Sequence, residues 1–245
     1  MQALIDTQTG TLEALKVQTV ATPQPKKNQV QIAVRACALN IGDYQRFIMK
    51  NNRIPLATKV TNKLMGYVGK PLGAEVAGVV TAVGAAVTQF KVGVAVFGKT
   101  AGTAPTGGLA EYAILNQGEV YQKPTNLTFE EASCISISFE TALGAVRKAS
   151  VKSGQTVMVY GASGGVGLYV VQLANAAGAT VIGVCSTRNL ALAKASGCAQ
   201  VIDYKTQDFT KCLTRFDAIL GINGYNPMRK YKPLLKPHGI FVGGG

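Results

Sequence analysis

The chain has 245 residues, 47% of them hydrophobic and only 15% charged, with 28 glycines, five cysteines, one histidine and a formal net charge of +13. That is one large domain or two of ordinary size with a substantial core, and the composition suits a soluble α/β protein. No signal peptide, membrane-spanning run, disulfide framework or C-x-x-C zinc cluster is apparent, and the dispersed Lys and Arg residues form no basic block or aromatic motif for specific nucleic-acid binding.

A cytoplasmic protein is therefore expected, with the positive charge serving as solvated surface or as weak attraction to acidic membranes. In chain order, the first part reads as short strands between turns. Gln29 to Arg35 alternates apolar and polar residues, and Val76–Val83 and Val92–Phe97 are short β-rich runs flanked by glycine. The stretch from Met49 to Lys70 reads as an exposed loop or a short helix plus loop, either the rim of a cleft or an ordinary insertion. Thr128 and Glu131 form a capping-box pair that starts a helix. From Thr156 onward, strands at 156–160, 180–185, 200–203, 218–222 and 239–242 alternate with helical segments, the pattern of a parallel sheet with crossover helices. The expected division is 1–127 and 128–245.

The most informative stretch is the strand Thr156–Tyr160, the turn Gly161-Ala-Ser-Gly-Gly-Val-Gly167, an amphipathic helix and the strand Thr180–Cys185. That order is what a dinucleotide fingerprint requires. Ala162 stands in the first glycine slot. Gly164 and Gly165 let backbone N–H groups approach a pyrophosphate at the positive end of the helix dipole, and Gly167 permits close helix–strand packing. Gly167, Val170, Val171, Ala174 and Ala177 share one helical face, and Gly178 is a C-terminal stop. After the second strand the chain reads Cys185-Ser-Thr-Arg-Asn189, with no acid to hold a ribose 2′-hydroxyl. Ser186 and Arg188 instead suit a 2′-phosphate and hence NADPH over NADH, unless Arg188 is simply an exposed arginine at a helix start. No carboxylate occurs between Glu140 and Asp203, which favours an anionic ligand.

The ordering resembles the medium-chain dehydrogenase/reductase superfamily, specifically its zinc-free quinone oxidoreductase-like branch. The resemblance rests on Ala38–Asp43, Gly73–Gly78, Gly107–Tyr112, Glu131-Ala132, Thr141-Ala142, the turn with Gln172–Ala174, and Val201–Tyr204. It implies a GroES-like β-rich catalytic domain followed by a Rossmann domain. It also implies transfer of a hydride from NADPH to a quinone or an α,β-unsaturated carbonyl compound. Independently of the family, a single histidine, His238, ahead of the last expected strand, cannot build a zinc site without clustered cysteines. Ala74 stands where zinc-dependent relatives carry a histidine.

The resemblance implies further site residues. Asn40 matches an asparagine near the nicotinamide ribose and the substrate, or is a turn asparagine before Gly42 and Asp43. Tyr44 offers a hydroxyl to a cleft, or is a half-buried core tyrosine. Thr141 matches a threonine beside the nicotinamide, or packs a helix. Tyr204 matches a tyrosine that reaches the 2′-phosphate, or lies at a sheet surface. With Ser163, Gly164, Gly165 and Val166 of the turn and Val242 of the last strand, these complete the expected site.

Val94 replaces a common turn Asp, and Glu140 stands where a small residue is usual. Relatives continue beyond the strand ending near Val242, so the chain is expected to lack its C-terminal end, as a fragment or a shortened form. An open sheet edge would then bear on association, a homodimer included. The competing expectation is a non-catalytic NADPH-binding or membrane-surface protein that keeps the fold.

Overall fold

The structure, a computed structural model, describes residues 1–7, 12–43, 70–100, 107–222 and 226–244. Tyr44 and all of the expected 49–70 loop except Lys70 lie outside the described residues. The chain forms two compact units, Met1–Ile137 and Ser138–Gly245.

In the first unit β1 (Gln2–Asp6) and β2 (Leu15–Thr19) form an antiparallel pair. A five-stranded antiparallel sheet follows, built from β3 (Gln29–Ala38), β4 (Glu75–Val83), β5 (Ala95–Lys99), β6 (Tyr112–Asn116) and β7 (Val120–Gln122) in the order β6-β3-β4-β5-β7. Side chains alternate across it. Val30, Ile32, Val76, Val80, Val96, Ala113 and Leu115 share one core. Ala77 and Phe97, paired across β4 and β5, face the other way and receive Ala132 and Phe129 of the short helix α1 (Phe129–Ser133). The capping box that starts α1 is complete: Glu131 N–H donates to Thr128 Oγ1 at 3.1 Å and Thr128 N–H to Glu131 Oε2 at 2.8 Å. The strand expected from Val92 begins at Ala95 instead. Gly93, with φ of +90°, turns the chain, and its N–H donates to Val80 O while Val80 N–H donates to Val94 O. Backbone bonds thus close this turn with Val94 in place of an acid.

The second unit contains the core of α2 (Ser136–Lys148), then β8 (Thr156–Tyr160), α3 (Gly165–Ala176), β9 (Thr180–Cys185), α4 (Leu190–Ala195), β10 (Gln200–Asp203), β11 (Phe216–Gly221) and β12 (Leu235–Gly243). Its parallel sheet runs β10-β9-β8-β11-β12. Val157, Val159, Val181, Ala218 and Leu220 pack with Ala142, Val146, Val170, Val171 and Ala174. Met158, Ile182, Val184 and Ile219 point the opposite way, onto Phe209, Tyr231 and Leu234. Both faces are covered, which is why these strands read as continuous apolar runs.

Two details differ from the sequence pattern. Among the described residues, the connections from β10 to β11 and from β11 to β12 are 3₁₀ turns (Phe209–Lys211, Met228–Lys230 and Lys232–Leu234) and not α-helices. Pro227 and Pro233 each lack the N–H that a continuous helix needs. In addition, β12 starts early and carries a bulge, its register shifting between the Phe216–Leu235 and Ala218–Ile240 pairs. His238, exposed and with φ of +65°, therefore lies inside the strand at the bulge and not ahead of it. No described helix is long and apolar enough to cross a membrane.

Candidate cofactor-binding site

The strand order β10-β9-β8-β11-β12 reverses direction between β8 and β11. In open parallel sheets, ligands bind beyond the carboxyl ends of the strands at such a reversal. The Gly161–Gly167 turn leaves β8 at that place. Gly161 and Ala162 N–H both donate to Val184 O of β9, at 2.9 and 3.2 Å, and Gly164 N–H donates to Gly161 O at 3.1 Å. A Cβ on Gly167 would stand 2.0 Å from Gly161 O, so only glycine lets α3 approach the turn this closely. Ala162 fills the first slot of the fingerprint because β9 makes room for its methyl group. A Cβ on Gly183 would lie 3.0 Å from Ala162 Cβ and 2.6 Å from Cys198 Sγ. Gly164 caps α3, whose first-turn N–H groups have no intrahelical acceptor and carry the positive end of the helix dipole.

A cleft of about 640 Å³ opens over this turn. Tyr160, Gly161, Ser163 and Gly164 form one wall, Cys185, Ser186, Arg188 and Asn189 the next, and Tyr204 and Asn226 complete it. An adjoining hollow of about 390 Å³ is lined by Ser186, Thr187, Arg188, Tyr204 and Lys205. Neither lining includes a carboxylate. The nearest candidate, Asp203 at the end of β10, is buried and engaged: Thr187 Oγ1 donates to its Oδ2 at 2.6 Å and Lys205 N–H to its Oδ1 at 2.9 Å. The Thr187 hydroxyl is the main reason that this carboxyl titrates below its ordinary value. Tyr204 stacks on Tyr160 with ring centroids 6.2 Å apart, and Lys205 Nζ lies 5.4 Å from the Tyr204 centroid. Asn189 Nδ2 donates to Ser163 Oγ at 3.1 Å and to Ser186 Oγ at 3.5 Å.

Of the residues expected from sequence, Ser163, Gly164, Ser186, Arg188 and Tyr204 line this one cleft. Gly165 and Val166 form the first turn of α3, with Val166 packed against the apolar core. Thr141 is on an exposed face of α2, and Val242 is half-buried on β12 against the same core. Tyr160, Asn189 and Lys205 were not expected. Asn189 reads in sequence as an N-cap residue, and no local pattern signals its reach to Ser163, 26 positions earlier.

In the first unit, Asn40 N–H donates to Asp43 Oδ2 at 2.9 Å and Asp43 N–H returns to Asn40 O at 3.0 Å, so a turn forms here as the Asn-Ile-Gly-Asp run suggests. The Asn40 side chain does something else. Its Nδ2 donates at 2.7 Å to Oε2 of Glu75, a fully buried residue at the start of β4 whose Oε1 accepts from Ile137 N–H. This bond orients the amide and leaves Asn40 Oδ1 as an acceptor. Burial, reinforced by Asp43 and Glu75, pushes the nearby Cys37 thiol up to about 12. Among the described residues, no three His, Cys, Asp or Glu side chains come together as a metal site.

Comparison with known proteins agrees with both halves of this architecture. Residues 26–125 match the alcohol dehydrogenase GroES-like domain, and residues 165–245 match the zinc-binding dehydrogenase family. A 2-methylene-furan-3-one reductase from Solanum lycopersicum is 36% identical over 229 residues, covering 89% of this chain and 56% of its own length. A quinone oxidoreductase from Sus scrofa is 41% identical over 180 residues, 73% of this chain and 50% of its own. The chain thus spans about half the length of these curated relatives. The solved quinone oxidoreductase from Coxiella burnetii superposes with a TM-score of 0.87 at 33% identity, over 99% of this chain and 75% of that one.

Proposed function

The chain belongs to the medium-chain dehydrogenase/reductase superfamily, in its quinone oxidoreductase-like branch, and from that premise we propose that it binds NADPH and reduces a quinone or an α,β-unsaturated carbonyl compound. The observation that carries the cofactor reading is the cleft. A glycine turn at the sheet reversal leads to a wall where, among the described residues, Arg188 meets no carboxylate and Asp203 is turned onto Thr187. The residues present fit the dinucleotide, because the Gly167 contact brings the N–H groups of α3 to the turn and, among the described residues, no side chain fills the space above it.

In this reading the α3 N-terminus and the turn N–H groups receive the pyrophosphate. Arg188 binds the 2′-phosphate, with Ser186, Tyr204 and Lys205 around it. Bound NADPH supplies the hydride. Asn40 Oδ1, held by Glu75, accepts a hydrogen bond from a ribose hydroxyl or a substrate donor. Thr141 and Val242 are proposed as further cofactor contacts. For an enone, the hydride would add at the β-carbon and water would supply the proton that the α-carbon takes. Net consumption is one NADPH and one proton per double bond. The names of the two curated relatives support this substrate class.

Titration with NADPH and NADH tests the cofactor, and a panel of quinones and enones tests the chemistry. The reading expects a shift in NADPH fluorescence, an affinity at least about tenfold above that for NADH, and NADPH oxidation with some member of the panel. Binding with no turnover across the panel would remove the reductase assignment and leave the cofactor site standing.

A further inference from the structure

The cleft contains one side chain whose hydrogen bonds join two separate turns. Asn189 Nδ2 donates to Ser163 Oγ, in the turn after β8, and to Ser186 Oγ, in the turn after β9. Resting on the reading of this cleft as the cofactor site, we propose that Asn189 is a positioning residue that holds the Ser163 and Ser186 hydroxyl groups as donors to the phosphates of the cofactor.

The argument is one of hydrogen-bond inventory. An amide nitrogen has two protons to give, and a serine hydroxyl has one proton and two acceptor lone pairs. Once each serine oxygen accepts from the amide, its own proton is free to point elsewhere. Neither hydroxyl donates to a protein oxygen among the described residues, and both face a cleft without carboxylates. Cys185, whose thiol is pushed up by burial, lies within hydrogen-bond reach of Ser163, and a neutral thiol is a weak acceptor that a phosphate oxygen outcompetes for the Ser163 proton.

A second observation removes the ordinary explanation for these residue types. Asn189 is the N-cap of α4, and Ser186 the N-cap of the 3₁₀ turn Thr187–Asn189 that precedes it, yet neither side chain makes a capping bond. Asn and Ser at such positions normally hold the first free N–H groups of the helix. Here both side chains are turned to the cleft, where an anion can use them. Charge-assisted bonds from hydroxyl to phosphate are the stronger class of hydrogen bond, so the arrangement favours a phosphate over a neutral ligand.

The test is a double-mutant cycle read by NADPH titration, with melting temperature as control. Asn189→Ala is expected to weaken NADPH by about tenfold. In a Ser163→Ala background, which has already lost one of the hydroxyl groups that Asn189 orients, the same change should cost no more than about threefold. Asn189→Asp is nearly the same size. It reverses the polarity, accepting both serine protons and adding a negative charge, and should cost about a hundredfold or more without lowering the melting temperature to match. Full additivity of Asn189→Ala and Ser163→Ala would overturn the proposal. So would wild-type affinity in Asn189→Asp. Failure of the wild-type chain to bind NADPH would instead overturn the reading of the cleft, and the role of Asn189 with it.

Discussion

Arg188 is informative because of what does not surround it. Among the described residues no carboxylate pairs with it, and Asp203, on the neighbouring strand end, is held by Thr187 and the Lys205 backbone. A guanidinium left free at the end of β9 can bind a phosphate bidentately. Arg188→Glu should therefore weaken NADPH by roughly 10- to 100-fold, the range set by a charge-assisted bond, and change NADH by less than about threefold. Dissociation constants for the two cofactors decide this, and equal losses for both would remove the 2′-phosphate assignment. The place of Ser186 and Arg188 in the cleft was legible from their interval after the glycine turn, and that of Tyr204 from the family resemblance. Asn189 and Glu75 were not, since their bonds join residues 26 and 35 positions apart and depend on tertiary geometry alone.

At the scale of elements, the contact between the glycine turn and α3 should bear on stability and on the proposed cofactor site alike. Gly167→Ala must push Gly161 O away from a Cβ that would otherwise stand at 2.0 Å, which moves the helix N-terminus off the turn. Overpacking of this kind costs about 1–3 kcal/mol. A lowered urea midpoint together with lost NADPH affinity is the expected outcome, and an unchanged midpoint would mean that the turn yields freely. The sequence located β8, β9 and β10 to the residue; for β8 and β9 the reason is that a strand buried on both faces is apolar nearly throughout and is bounded sharply by glycine or polar residues. It was less informative for β5, where backbone bonds across Val80 and Gly93, and not side-chain pattern, decide where the strand begins. The connections after β10 and β11 were read as helices on the expectation of regular crossovers, which Pro227 and Pro233 defeat after β11.

For the whole molecule, stability should have an acid and an alkaline limit with identifiable groups. Asp203, Asp208 and Asp217 all titrate below the usual carboxylate range, held chiefly by the Thr187 hydroxyl, the Thr210 hydroxyl and the Lys236 ammonium respectively. A depressed folded pKa contributes stability that is present above the unfolded value, about 3.9, and is lost as pH falls through it toward the folded value. Cys37 acts in the opposite direction. Its thiol is raised to about 12, so its contribution is complete below the unfolded value, about 8.5, and disappears as pH rises from there to about 12. Urea midpoints measured from pH 3 to 11 should show a plateau between about pH 5 and 8 with a decline on either side. Asp217→Asn, which removes the negative charge that Lys236 Nζ pairs with at 2.8 Å, should lower the plateau and make the acid decline shallower. An acid decline of unchanged slope would exclude Asp217 from it.

The space over Gly183 also constrains how this sequence can change over time. Ala162 and Cys198 already occupy the volume that a side chain at 183 would need, at 3.0 and 2.6 Å from its Cβ, so the three positions behave as one shared volume. Substitutions there are coupled. An alanine at 183 requires the Cys198 sulfur to move aside and the Ala162 methyl group to give by a few tenths of an ångström, so it is accommodated more easily where residue 198 is smaller. The alanine in the first slot of the cofactor turn is thus tied to a cysteine 36 positions away, and their evolutionary histories should show epistasis that no fingerprint of the turn alone contains.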